Sequence, residues 1–121
     1  MPTRKDIIEY CMTLGGVYED YPFDDPNWTL MRHVENKKTF AFIFYHCGEL
    51  YVNVKCEPMK ADFLRNTYDF IIPAYHMNKT HWNSLLVNLA DDLDMVWDMI
   101  ADSFELTRPK LNRRNPPRRF V

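Results

Sequence analysis

At 121 residues, 46% of them hydrophobic and 26% charged, the chain has the length and composition of one ordinary globular domain. No apolar run reaches the roughly 18–20 residues of a membrane span, and the N-terminal MPTRKDIIEYCM carries charges where a signal peptide would be apolar, so a cytoplasmic protein without membrane association is expected. The net charge of −2 is unevenly held: six of the 15 basic residues and none of the 17 acidic ones lie beyond Thr107, so an acidic body carries a basic end.

Thr3 and Asp6 have the spacing of a capping box, with Asp in the usual Glu position, and Ile7, Ile8, Cys11 and Met12 recur at helical spacing. Gly15-Gly16 supplies a left-handed stop, which predicts a first helix over about residues 3–14. Strands are expected near 17–21 and 29–34, the second followed by a turn at Glu35-Asn36-Lys37-Lys38. TFAFIFYHC is continuously apolar, the pattern of a strand buried on both faces. LYVNVKC instead alternates, with Leu50, Val52, Val54 and Cys56 on one face and Tyr51, Asn53 and Lys55 on the other. Pro58 opens a second helix to about residue 68, with Met59, Phe63 and Leu64 expected inward.

Residues 71–85 read as strand–turn–strand. Asn78-Lys79 forms the turn, Ile71, Ile72, Met77 and Trp82 pack, and His76 and His81 bond to nearby backbone. Leu89, Leu93, Val96, Trp97, Ile100 and Phe104 make the strongest helical stripe, capped by Asn88 and ended by Pro109. The order α-β-β-β-β-α-β-α predicts an α+β fold, an antiparallel sheet with helices packed on it. One domain over residues 1–111 and a basic Pro/Arg-rich tail over 112–121 are expected.

Most reactive chemistries lack a motif here. His76 and His81 are five apart, which fits neither a helical i, i+4 metal pair nor a tight hairpin pair, so no metal is expected. Cys11, Cys47 and Cys56 form no CxxC pair and are odd in number, the pattern of free thiols buried as small hydrophobes. Gly15-Gly16 and Gly48 match no phosphate loop. Asp20, Asp24 and Asp25 are ordinary turn formers, and no cofactor or catalytic residue is implied. A non-enzymatic protein is expected.

Basic residues near hairpins are a different signal. Lys37, Lys38, Lys55 and Lys79, with His76, His81 and the tail residues Arg113, Arg114, Arg118 and Arg119, form a candidate nucleic-acid set, since lysines at strand ends track phosphates and nearby tyrosines stack on bases. The same lysines also serve to keep a sheet edge soluble, and the tail equally reads as a solubilising end.

GVYEDYPF, VKCEP and PAYHMNKTHWNSL, in this order and spacing, resemble the MmcQ/YjbR family of small bacterial proteins, from the first helix to about Leu111. The signature falls on Tyr18, Glu19, Asp20, Tyr21, Pro22 and Phe23, and on Tyr75, His76, Met77, Asn78, Lys79, His81 and Trp82. The resemblance implies a fold like that of type III secretion chaperones and CyaY, no established reaction, and a DNA-binding label based on paired hairpin wings. Three departures stand out. Thr80 replaces a frequent basic residue, Ala74 a frequent glycine, and Asp24-Asp25 a glycine-bearing loop.

Three readings follow: a DNA-binding domain using hairpin tips and the basic tail, a protein- or peptide-binding module using an aromatic surface, and a small-molecule site between the two signature blocks. The last requires the blocks to be adjacent. DNA or a protein is the implied partner, and the chain is expected to be a monomer or weak dimer.

Overall fold

Helix α1 spans Arg4–Met12 in a computed structural model that describes residues 2–109 of the chain. Its start is the expected capping box: Thr3 Oγ1 accepts from the Asp6 N–H at 3.2 Å, and Asp6 Oδ2 accepts from the Thr3 N–H at 2.9 Å. Gly15 and Gly16, at φ +95° and +65°, then turn the chain into the sheet.

The strands are β1 Val17–Asp20, β2 Thr29–His33, β3 Thr39–His46, β4 Glu49–Lys55, β5 Ile71–Pro73 and β6 Trp82–Leu86. They form one antiparallel sheet in the order β1-β2-β3-β4-β6-β5. Helix α2, Pro58–Thr67, separates β4 from β5, and α3, Leu93–Thr107, closes the described chain. The expected α+β order holds, with its last β position occupied by the short β5–β6 pair.

All three helices cover the same face. Ala41, Ile43, Val52, Val54, Leu85 and Ile71 from the sheet join Ile7 and Cys11 of α1, Ala61 and Leu64 of α2, and Val96, Met99, Ile100 and Phe104 of α3 in one core. The β2–β3 register shifts between Met31 and Arg32, which leaves Phe40 without a cross-strand partner. Its ring turns fully into the core, edge-on to Phe104 at 5.3 Å between centroids. Buried Ser103 on α3 donates to the Phe40 carbonyl at 2.6 Å and accepts from the Lys55 N–H at 2.8 Å, so one hydroxyl ties α3 to both central strands.

Three local expectations need correction. In α2 it is Ala61 and Leu64 that face inward, whereas Met59 and Phe63 are 81% and 65% exposed. The narrow contact with β5 and β6 accepts only one stripe of the helix, and i, i+3 spacing selects those two. Helix α3 begins at Leu93, with Asp92 as its cap accepting from the Met95 N–H at 3.2 Å, not at Asn88. Residues Val87–Leu89 form a separate 3-10 turn, and Leu89 faces solvent. Of the three thiols, Cys11 and Cys56 are buried, but Cys47 is exposed at the β3–β4 hairpin tip.

Candidate functional site

The helix-free face of the sheet follows from strand alternation. Phe42, Phe44 and His46 of β3 stand opposite Asn53, Tyr51 and Glu49 of β4, and Asn53 and Lys55 stand opposite Ser84 and Trp82 of β6. A side-chain period of two puts this set on the side away from the core. Sequence alternation assigned Tyr51, Asn53 and Lys55 to an outer face, yet Asn53 and Ser84 have no solvent exposure.

The β5–β6 connection covers them. The Tyr75 N–H donates to Ser84 Oγ at 2.9 Å, the Ser84 hydroxyl donates to Asn53 Oδ1, and Asn53 Nδ2 donates to the Tyr75 carbonyl at 3.0 Å. This closed ring fixes Tyr75 over the strands, where its ring stacks on Phe44 at 5.9 Å and lies 4.3 Å from His46. His76 follows at φ +63° with its ring 3.9 Å from that of Tyr75. Burial pushes the Tyr51 hydroxyl pKa upward, so this ring remains a neutral phenol across the physiological range.

The first signature block reaches the same face by an indirect route. Asn27 Nδ2 donates to the Tyr45 carbonyl at 2.8 Å, and its Oδ1 accepts from the Tyr45 N–H at 2.9 Å. A side-chain amide thus pairs with the β3 backbone beyond the end of β2. Next to it, Trp28 lies stacked on Phe44 at 4.0 Å, and Phe23 packs edge-on against Trp28 at 6.1 Å. Phe23, Trp28, Phe44 and Tyr75 therefore link the two blocks in one aromatic series. Phe23 and Tyr75 thus lie on one face, separated by Trp28 and Phe44.

The sheet register collects the lysines at the opposite end of this face. Lys37 and Lys38 lie in the β2–β3 turn, and Lys55 ends β4 opposite Trp82. The chain then returns to them: Asn36 Nδ2 donates to the Thr107 carbonyl at 3.0 Å, and His33 Nε2 meets Thr107 Oγ1 at 2.8 Å. The C-terminal end of α3 is therefore tied to the β2–β3 turn, and Arg108 next to it pairs with Glu105 at 3.0 Å.

Not all of the predicted residues are equally available. Lys79 Nζ donates to the Ala74 carbonyl at 3.0 Å, closing its own loop, and Asn78 Oδ1 accepts from the Thr80 N–H at 2.8 Å. Arg65 of α2 holds the loop from outside, donating to Asn83 Oδ1 at 2.5 Å and to the carbonyls of Lys79 and Trp82. The expected hydrogen bonds from the His76 and His81 rings are not among those of the described residues; the His81 carbonyl accepts from the Cys56 N–H at 2.8 Å. Arg32 stands 2.8 Å from Asp20 Oδ2 as an ion pair, its Nε out of line for a hydrogen bond. Ala74 is buried without a positive φ. Arg113, Arg114, Arg118 and Arg119 lie outside the described residues.

Sequence reasoning did not single out Trp28, Phe44 or His46. For Phe44 and His46 the signal was the alternation Phe42, Phe44, His46 inside a run that reads as uniformly apolar; Trp28 carried no such period.

The family model described as YjbR matches residues 12–106. The chain belongs to the YjbR family. An uncharacterized Bacillus subtilis protein, YyaQ, is 35% identical over 89% of this chain and 100% of its own length. Another from Escherichia coli O157:H7, YbdF, is 30% identical over 82% of this chain and 84% of its own length. Among solved structures, a Pseudomonas syringae protein superposes with a TM-score of 0.79 at 29% identity, over 88% of this chain and 100% of that one. Deinococcus radiodurans DR2400 gives 0.81 at 23% identity, over 94% and 85%, a likeness of fold alone. The YjbR model ends at residue 106, so the arginines beyond Thr107 lie outside the matched region.

Proposed function

We propose that this YjbR-family chain is a non-enzymatic nucleic-acid-binding domain whose phosphate contacts gather at the lysine end of the sheet. The observation that carries the reading is the Asn36–Thr107 hydrogen bond, which ties the end of α3, just before Arg108, to the turn that holds Lys37 and Lys38. Lys55, at the same end of the central strands, extends that set. Charges gathered in this way release condensed counterions together when they neutralise phosphates. The acidic remainder of the body repels a backbone laid elsewhere and thereby orients it.

Fluorescence anisotropy with labelled 20-nucleotide single strands and duplexes, at ~50 mM salt and micromolar protein, tests the reading. Binding should weaken steeply with added salt, and Lys37→Glu/Lys38→Glu should reduce it. Absence of binding to either form would remove the proposal.

A flat small molecule on the aromatic face is the second reading. It is favoured by the meeting of the two signature blocks through Trp28, Phe44 and Tyr75.

A further inference from the structure

We infer that the helix-free face of the sheet is a stacking platform for the unpaired bases of a single-stranded nucleic acid. This inference rests on the nucleic-acid reading above and specifies which form is held and by which rings.

Six rings on this face are partly exposed. Trp28, Phe42, His46, Tyr51, Tyr75 and Trp82 are each half-buried, with Phe44 as a buried floor beneath several of them. They are already fixed against one another: Trp28 on Phe44 at 4.0 Å, His46 beside Tyr75 at 4.3 Å, and Phe42 edge-on to Trp82 at 5.5 Å. The Asn53–Ser84–Tyr75 hydrogen-bond ring anchors the backbone of the residue at their centre. A ligand ring landing here orders few new side chains, so little of the stacking energy is lost to rotamer entropy.

The occupant follows from what lies beside the rings. Lys55, Asn53 and Tyr51 succeed one another on this face of β4, so Lys55 and Tyr51 are four residues, or ~13 Å, apart along the strand. A cation with Trp82 beside it and further rings along the strand suits a chain that alternates phosphate with flat base. The other end of the face holds Glu49 at the hairpin tip, which disfavours phosphate there and directs bases, not backbone, onto His46 and Tyr75. Asp20 would oppose phosphate near β1, but Arg32 neutralises it at 2.8 Å. Duplex bases present only their edges, so separate aromatic rings along this face gain stacking from unpaired bases alone. A protein partner would need hydrophobic side chains opposite these rings but no cation at Lys55.

Equilibrium binding of the full chain to a labelled 20-mer of dT and to a duplex of equal length, at ~50 mM salt, tests this. The single strand should bind at least about ten-fold more tightly than the duplex and should quench tryptophan fluorescence. Tyr51→Leu and Trp82→Leu, which keep apolar bulk but remove the ring, should each weaken single-strand binding about five-fold or more. Circular dichroism and urea midpoints would confirm that the variants fold. If one does not, the quenching by the single strand over the duplex carries the same test. Equal or tighter duplex binding that the Leu variants leave unchanged would overturn the platform while leaving the nucleic-acid reading intact. A mononucleotide binding as tightly as the 20-mer would overturn it in favour of a small-molecule site. No binding of any of these would remove both readings.

Discussion

Asn53, in the middle of β4, and Tyr75, 22 residues later in the β5–β6 connection, are joined through the Asn53 side-chain amide and the Tyr75 carbonyl at 3.0 Å. Ser84 closes the ring between them. The contact explains why a polar residue occupies the centre of a buried strand: its amide satisfies the Tyr75 carbonyl where the connection folds back over the sheet.

Asn53→Ala should therefore destabilise the protein by about 1–3 kcal/mol, because it strands the Tyr75 carbonyl and the Ser84 hydroxyl in a buried site. Urea denaturation measures this, and Tyr75 should become more solvent-exposed at the same time. A variant as stable as the wild type would show that the ring of hydrogen bonds contributes nothing.

The register of α2 makes a paired prediction. Leu64→Ala, at a position 4% exposed, should cost about 2–4 kcal/mol, whereas Phe63→Ala, 65% exposed, should stay within about 0.5 kcal/mol. The larger loss at Phe63 would mean that the outer face of α2 is packed against another molecule in solution.

Thiol chemistry separates the three cysteines. Burial raises the Cys11 thiol to about 12 and moves Cys56 in the same direction, which removes the thiolate needed for reaction. Cys47 is exposed at the hairpin tip, its Sγ 3.6 Å from His46 Nε2. A native-state thiol titration at neutral pH should release one rapid equivalent, lost in Cys47→Ser, with the other two appearing only on unfolding. Two or three rapid equivalents would contradict the packing around Cys11 or Cys56.

His33 supplies a pH dependence of defined sign. It is 3% exposed between Phe40 and Phe104, and burial, as the main cause, holds its pKa below the ordinary 6.5. The Thr107 hydroxyl already donates to the Ser103 carbonyl at 2.8 Å, so it accepts from His33 Nε2–H, and the neutral ring suffices. As pH falls below 6.5 the unfolded chain takes the proton first, so stability declines down to the lower folded pKa and is constant above 6.5. Urea midpoints between about pH 7.5 and pH 5 should fall less for His33→Gln than for the wild type. A steeper fall in the variant would reverse the assignment.

Much of this molecule was legible in one sequence. The Thr3–Asp6 box, the Gly15-Gly16 stop, the alternation of Leu50, Val52 and Val54, and the stripe Val96–Ile100–Phe104 are local signals, because each depends on spacing within one element. Both signature blocks could be named for the same reason. Tertiary structure decided what no local period encodes: which stripe of α2 turns inward, that α3 is capped by Asp92 and not Asn88, and that the exposed Lys79 ammonium closes its own loop onto the Ala74 carbonyl. It also decided that Tyr18–Phe23 and Tyr75–Trp82, more than fifty residues apart, meet across Trp28 and Phe44. That meeting depends on strand order and on the side-chain pairings of Asn27 and Asn53, interactions between residues distant in the chain.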